Sequence, residues 1–171
     1  MADLGLPAIA AGAAFGRDEV RARRLGATGW IGPTSGPADA LEGMRTWQAQ
    51  AAPTPPEASA LELAAEDLQQ TCMEVMGERM PQLASLSPKQ MAGTRTDVGY
   101  ILGYLATSID LEDDEIFGDF TSWLARVLQM RGVPPRVLDR SLDIIGDVVA
   151  SAGMTEAARL CATSRSSPLP A

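Results

Sequence analysis

The sequence predicts an all-α protein, and two observations carry that prediction. Between Arg95 and Val149, three amphipathic helical patterns follow one another, separated only by short polar breaks. No segment shows the strict alternation of apolar and polar residues that is typical of a strand. The clearest helical pattern is a single apolar stripe that consists of Phe117, Phe120, Trp123, Leu124, Val127 and Leu128.

Composition limits the class of protein. A chain of 171 residues, 46% of them apolar, is long enough for one domain and an extension. Its 22 acidic and 14 basic residues give a net charge of −8, which argues against binding to nucleic acid or to an anionic membrane. No apolar run approaches the roughly 20 residues that cross a bilayer, and the N-terminus lacks the basic start of a signal peptide. We therefore expect a cytoplasmic protein with Cys72 and Cys161 reduced.

Histidine is absent from the sequence. The chain therefore lacks the commonest general base, the commonest metal ligand and any histidine that could hold haem. No serine has a recognisable partner base, and the two cysteines match no metal or redox spacing. We expect no haem, no metal site and no conventional acid–base enzyme.

Residues 1–57 differ from the rest and predict an irregular or partly helical extension that ends in a linker. A weak helical pattern over Ala8–Arg24 precedes GATGWIGPTSGP, which is dense in glycine and proline. A short helical pattern over Ala38–Gln50 comes before the proline-rich sequence AAPTPPEAS. The extension is either a flexible tether or an arm that binds its own domain, a second subunit or another protein through Trp30 and Trp47.

Residues 58–162 predict the folded helical domain. Ser59 and Glu62 match a capping box at the start of a helix that ends near Met80. Ser87-Pro88-x-Gln90 is a second capping box with proline at the first helical position, and its helix extends to Ile109. The buried stripe of the first of these helices comprises Leu61, Ala64, Ala65, Leu68, Cys72, Val75 and Met76.

The next predicted helix carries the aromatic stripe. Asp110 is expected to cap it, and acidic residues over 112–115 fill its first turn, where the helix dipole favours negative charge. Arg131-Gly132 ends it in the manner of a basic last turn followed by a glycine stop.

Two further helices complete the domain. Pro134-Pro135 begins one that breaks at Ser151–Gly153, and Thr155 caps a short last helix that reaches about Ala162. Residues 163–171 are a flexible tail. The residues expected to face inward from the longer helix are Leu138, Leu142, Ile145, Val148 and Val149.

A family resemblance emerges from the order of these segments. RTDVGYILGYLATSI, an acidic turn, FGDFTSWLARVLQMRGVP and IIGDVV together resemble the phycobiliprotein branch of the globin superfamily. They are also similar to non-haem globin-like modules joined to B12-binding or stressosome regulatory domains. The resemblance covers residues 59–162 and implies a globin-like helical domain without haem, preceded by a Gly/Pro-rich N-terminal extension.

The resemblance also bears on ligands. Asp97 matches the aspartate that holds pyrrole nitrogens in phycobiliproteins. Thr94 stands where light-harvesting members have the cysteine that binds bilin covalently. Ile101 stands where B12-associated modules commonly have a histidine. The chain therefore lacks both of those attachment residues, and Asp97 is the ligand-binding residue that the resemblance implies.

Asp97, Tyr100 and Tyr104 lie at i, i+3 and i+7 and therefore share one helix face. This carboxylate could accept N–H groups from a non-covalent bilin, another tetrapyrrole or another hydrophobic ligand, while Arg95 pairs with a propionate and Trp123 flanks the pocket. In the alternative reading, Asp97 is an exposed residue at a helix start, the tyrosines belong to an interface, and Trp123 lies in the core.

Two other groups have a structural and a chemical interpretation. The acidic run over 112–115 could form a metal site or a glycosidase-like pair, but a charged first helical turn is the prediction. Cys72 lies on an apolar stripe, where free cysteine packs as a small hydrophobe. Phe120 is likewise expected in the core.

We therefore predict a non-enzymatic regulatory or scaffold protein that acts through helix-mediated self-association and partner binding. The alternative is a non-covalent binder of a tetrapyrrole or other hydrophobic ligand. We expect a homodimer or larger assembly, with the extension contributing to the contact.

Overall fold

The structure is predominantly α-helical over the part of the chain that it describes, which confirms the predicted all-α class. A computed structural model of the protein describes residues 8–12, 15, 19–32, 36, 38 and 53–164. The chain forms two compact units, Met1–Pro53 and Thr54–Ala171. The assignment to a globin-like fold is a finer statement than helical class, and it stays a prediction.

The first unit contains a small parallel sheet. Strand β1 (Ile9–Ala11) pairs with strand β2 (Gly29–Ile31), and helix α1 (Val20–Arg24) lies between them in the chain. The register places Ala10 opposite Trp30. This element corrects the expectation that the chain has no strands.

The helical pattern predicted over Ala8–Arg24 was wrong in its first part: of its described residues, Ile9–Ala11 form a strand and Val20–Arg24 form α1. A three-residue strand is too short to display alternation, and alanine fits either pattern. Packing decides the conformation, since Ala10 is buried against Ala22 and Ala27. The helical pattern predicted over Ala38–Gln50 lies outside the described residues apart from Ala38.

The second unit, described from Thr54 to Ser164, is built of α-helices joined by short turns. Helix α4 is the longest and packs against α2, α3, α5 and α7, so it is the central element. The elements are α2 (Pro56–Leu63), α3 (Ala65–Arg79), a 3-10 turn (Pro81–Ser85), α4 (Pro88–Asp110), α5 (Asp114–Met130), α6 (Pro135–Ser151) and α7 (Thr155–Thr163).

Helix α2 begins before the predicted capping box, so that prediction was wrong. Pro56 occupies the first helical turn, and Ser59 lies inside the helix. Proline is suited to this start because its missing N–H would have had no partner there. Glu57 adds a tertiary role, since its Oε1 accepts the backbone N–H of Ala157 at 2.7 Å. The helix start therefore stabilises the first turn of α7 as well.

The capping box predicted before α4 is confirmed. The Ser87 Oγ accepts the Gln90 N–H at 3.3 Å, and the Gln90 Oε1 accepts the Ser87 N–H at 2.9 Å. The helix then continues without interruption through Gly93 to Asp110. Asp110 is consequently the last residue of α4 and does not cap α5, which corrects that prediction.

Asp113 caps α5 instead, with its Oδ1 accepting the Glu115 N–H at 3.0 Å. The Ser108 Oγ donates to the Asp113 carbonyl at 2.6 Å and ties the turn back to α4. The predicted stop after α5 is confirmed: Gly132 has a φ of 78°, and the Val133 N–H reaches the Leu128 carbonyl at 3.0 Å.

The last two helices follow the predicted pattern closely. Helix α6 starts at Pro135, and its five predicted inward residues are all buried. Helix α7 starts at Thr155, but Met154 rather than Thr155 occupies the capping position. The predicted tail lies outside the described residues, which end at Ser164.

One continuous apolar core fills the second unit. Four residues of the stripe predicted for the first core helix, Leu61, Leu68, Cys72 and Met76, are buried. Among the described residues, no helix is long and apolar enough to span a membrane. The largest fully buried side chains are Phe117, Leu61, Met76, Met80, Ile101, Leu105, Leu142, Ile144, Ile145, Leu160, Val98 and Val149.

Candidate functional site

Four of the five predicted site residues lie on α4, and Arg95 is directed toward α3. Its guanidinium donates to the Oε1 of Gln70 at 3.0 Å, and its backbone carbonyl accepts from the Nε2 of Gln69 at 2.7 Å. Residues two apart on a helix lie about 200° apart around the axis. Arg95 and Asp97 therefore face different directions, and the helix does not bring them together.

Asp97 is half-buried in the third turn of α4. It is not a residue at a helix start, so the macrodipole, which acts within the first turn, does not account for it. Burial raises the pKa of the Asp97 carboxyl above its ordinary value, and the positive charge of Arg131 opposes that rise. Because Arg131 ends α5, its influence places the C-terminus of α5 near the middle of α4.

Aromatic contacts join α4 to α5 farther along. The Tyr104 ring stacks on Phe120 with ring centroids 3.9 Å apart and planes 9° apart. The Phe120 ring lies 6.0 Å from the Trp123 ring in a tilted arrangement. Phe120 is buried as predicted, whereas Trp123 is 52% exposed, so the expectation of Trp123 as a core residue was wrong.

Helical geometry explains the position of Trp123. Phe117, at the centre of the buried face, has no exposure. A residue six positions later lies about 120° away around the axis. Trp123 therefore falls at the edge of the apolar stripe, where a neighbouring element would be needed to cover it.

Exposed side chains from both helices form an apolar surface, which we name the α4/α5 surface. Its four exposed members are Tyr100 (59%), Tyr104 (40%), Trp123 (52%) and Met130 (80%), and the buried Phe120 contacts Tyr104 and Trp123. Met130 follows Trp123 by seven residues, which returns it to nearly the same side of α5. The surface therefore includes three of the predicted site residues.

The structure also contains a cleft of about 460 Å³ that is lined by none of the predicted site residues. Its walls come from the start of α2, the turn between α4 and α5, and α7. Four of its lining residues are acidic, and two of them, Glu57 and Asp114, form hydrogen bonds to α7. The lining residues are Pro55, Pro56, Glu57, Ser108, Ile109, Glu112, Asp114, Glu156 and Leu160.

The acidic run over 112–115 makes structural contacts. Asp113 caps α5, and the Oδ1 of Asp114 accepts from the Arg159 guanidinium at 2.8 Å. Glu115 lies in the first turn of α5, where the dipole favours its charge. Among the described residues, no cluster of three or more acidic or cysteine side chains is arranged to hold a metal ion.

Cys72 and Cys161 are both buried, and Cys72 is a free cysteine. Burial raises the pKa of the Cys72 thiol to about 11. A thiol with such a pKa carries almost no thiolate at neutral pH, and only the thiolate is a strong nucleophile. Cys72 therefore acts as a packing residue, in line with the structural interpretation.

Three charged residues near the α4/α5 surface were missed as site residues. Asp119 and Arg126 are exposed on α5, four residues before and three residues after Trp123. Arg131 acts on Asp97 from the end of the same helix. Asp119 and Arg126 could have been identified from the sequence, because their spacing from Trp123 places them on the same side of a helix. The influence of Arg131 on Asp97 depends on the packing of α4 against α5 and could not.

The predicted arm residues belong to the first unit. Trp30 is half-buried and packs against the cluster of Ala10, Ala22 and Ala27. Trp47 lies outside the described residues. Binding of a partner through these two tryptophans stays a prediction.

No protein-family model matches this chain, and no curated protein has significant sequence similarity to it.

Proposed function

We propose that this protein is a non-enzymatic, globin-like regulatory or scaffold module that self-associates through the α4/α5 surface. The observation that supports this proposal best is the clustering of exposed apolar groups. Between Thr54 and Ser164, four of the five exposed large hydrophobic side chains lie on this surface. The fifth is Leu63, on α2.

Single exposed apolar residues are ordinary on protein surfaces, but a contiguous group marks an interaction site. Tyrosine and tryptophan contribute most at interfaces, because they bury a large area and lose few rotatable bonds. Tyr104 is held by its stacking on Phe120, so part of the surface is ordered before any partner binds. These properties favour an interface over an enzyme site.

Sedimentation equilibrium of the full chain at rising concentration tests the proposal. We expect the wild type to form a dimer or larger assembly and Trp123→Ala to weaken it by roughly 2 kcal/mol or more, the range of interface hot spots. Leu63→Ala is the matched control, because it removes an exposed leucine that lies on α2. A wild type that stays monomeric at several hundred micromolar would rule out self-association.

A second candidate function is non-covalent binding of a tetrapyrrole or another hydrophobic ligand beside Asp97. The observation that favours it is the half-buried position of this carboxylate on the helix that carries Tyr100 and Tyr104. A ligand with N–H groups would supply donors to the carboxylate, while its ring system covers the aromatic side chains.

Titration of the protein with biliverdin, followed by absorbance, tests this candidate. If the ligand binds there, Asp97→Asn should weaken binding by about 1.5–3 kcal/mol, the usual contribution of a hydrogen bond to a charged group. Asp67→Asn, an exposed aspartate on α3, is the matched control. Equal binding by wild type and Asp97→Asn would exclude Asp97 from the site.

A further inference from the structure

The occupant of the α4/α5 surface can be named from the pattern of charges on α5. We infer that the surface binds a second copy of this chain, with the two α5 helices antiparallel and Trp123 beside the twofold axis. The inference rests on the proposed function, because it assumes that this surface is an interface.

The apolar residues of α5 form a seam centred on Trp123. Ile116 precedes it by seven residues and Met130 follows it by seven. Each therefore lies within about 20° of Trp123 around the helix axis. Ile116 is half-buried, and Met130 is 80% exposed.

Two opposite charges flank this seam on one side. Asp119 and Arg126 are both exposed. At 100° per residue they lie about 40° and 60° from Trp123 in the same rotational direction. The opposite side of the seam carries Val127 and Phe120, and Phe120 is the residue on which Tyr104 stacks. The surface is thus charged along one border and aromatic along the other.

A twofold axis beside Trp123 makes this pattern self-complementary. In an antiparallel pair, residues equally distant from Trp123 come side by side, so Met130 meets Ile116 of the second copy. Asp119 lies four residues before Trp123 and Arg126 three after, which leaves an offset of about 1.5 Å along the helix. Both lie on the same side of the seam, so Asp119 meets Arg126 of the second copy, twice per dimer.

A parallel pair would leave these charges without opposite partners. Its twofold axis runs along the helices and places the charged border of one copy beside the aromatic border of the other. Asp119 and Arg126 would then lie beside Phe120 and Val127 of the second copy rather than beside each other. Exposed ion pairs contribute little affinity individually, but they select the orientation in which two surfaces meet. The charge pattern therefore favours the antiparallel dimer.

Charge reversal tests the orientation. We expect Asp119→Arg and Arg126→Asp each to weaken self-association roughly tenfold or more, because two attractions per dimer become repulsions. The double variant Asp119→Arg/Arg126→Asp should return the dissociation constant to near the wild-type value, since it restores both pairs with opposite polarity. Far-UV circular dichroism of each variant checks that the helices remain folded.

The outcomes separate this inference from the proposed function. Single variants that dimerise like the wild type would overturn the antiparallel register, because Asp119 and Arg126 face each other only in the antiparallel pair. A folded double variant that stays as weak as the single variants would overturn it too. If Trp123→Ala still disperses the dimer in either case, the α4/α5 surface remains the interface. If Trp123→Ala leaves the dimer intact, the proposed function itself fails.

Discussion

At the scale of single residues, two influences on the charge of Asp97 act in opposite directions. Its position in the third turn of α4 removes it from the helix dipole, burial disfavours its charge, and Arg131 favours it. Burial is the larger effect, so the pKa of this carboxyl is raised in the folded protein. The side chain is therefore easier to protonate in the native state than in the unfolded chain.

This linkage predicts how Asp97→Asn changes stability with pH. A raised native pKa contributes stability that is present below the ordinary aspartate value of about 3.9 and is lost as the pH rises through the native value. At pH 7 the wild type bears the cost of the buried charge, so Asp97→Asn should melt at a slightly higher temperature. The difference should vanish near pH 3. Thermal melts at both values measure it, with Asp67→Asn as the control. A lower melting temperature for Asp97→Asn at pH 7 would contradict the sign.

At the scale of elements, a local sequence signal determines where α4 begins, whereas packing determines which face of α5 is exposed. The start of α4 is specified by a capping box. The Ser87 side chain accepts the Gln90 N–H, and the Gln90 side chain accepts the Ser87 N–H. No local sequence signal determines that the outer face of α5 is exposed. Its exposure depends on which helices pack beside it.

The cap before α4 gives a prediction of stability. Ser87→Ala removes the acceptor of the Gln90 N–H and should lower the free energy of unfolding by about 1 kcal/mol. Ser122→Ala is the control, because Ser122 is an exposed serine in the interior of α5. Urea denaturation followed by circular dichroism measures both. Equal midpoints for the two variants would show that the capping box contributes nothing.

The two faces of α5 predict opposite sensitivities. Phe117 has no exposure, so Phe117→Ala should lower the free energy of unfolding by about 3–5 kcal/mol through a core cavity. Trp123 is 52% exposed, so Trp123→Ala should cost far less when it is measured at low micromolar concentration, where self-association adds least. Denaturation of both variants decides between them. A comparable loss for Trp123→Ala would place that ring in the core after all.

At the scale of the whole molecule, the chain separates into two compact units, with the division between Pro53 and Thr54. The second unit has its own continuous apolar core. Its boundary matters for truncation, because Pro56 starts α2 and Glu57 caps the N–H of Ala157. A cut after residue 57 would remove both residues, whereas a cut after residue 53 preserves them.

Residues 54–171 should therefore fold without the first unit. We expect this fragment to show a helical circular-dichroism spectrum and a cooperative thermal transition. Residues 58–171 provide the comparison and should melt at a lower temperature, since they lack Pro56 and Glu57. A fragment of residues 54–171 without a cooperative transition would show that the second unit needs the first. Its sedimentation measures how much of the self-association the extension supplies.

Much of the helical unit could be predicted from local chemistry. Ser87 with Gln90, the glycine at 132 and the proline at 135 each act within one helical turn, so their effect is visible in the sequence. The start of α5 was misassigned because several acids stand close together. Asp110 does not cap α5 because α4 extends through it, with Ile109 buried in its last turn.

The short parallel sheet and the candidate site depended on contacts between distant residues. Ala10 forms a strand because Ala22 and Ala27 cover it. Trp123 belongs to the periodic stripe of α5, yet it is exposed because α4 covers only one side of that stripe with Tyr104. Periodicity determines which residues share a helix face, whereas burial of that face requires a neighbouring element. The sequence therefore establishes the helical class and the order of the helices, and the packing of α4 against α5 establishes which aromatic side chains remain available to a partner.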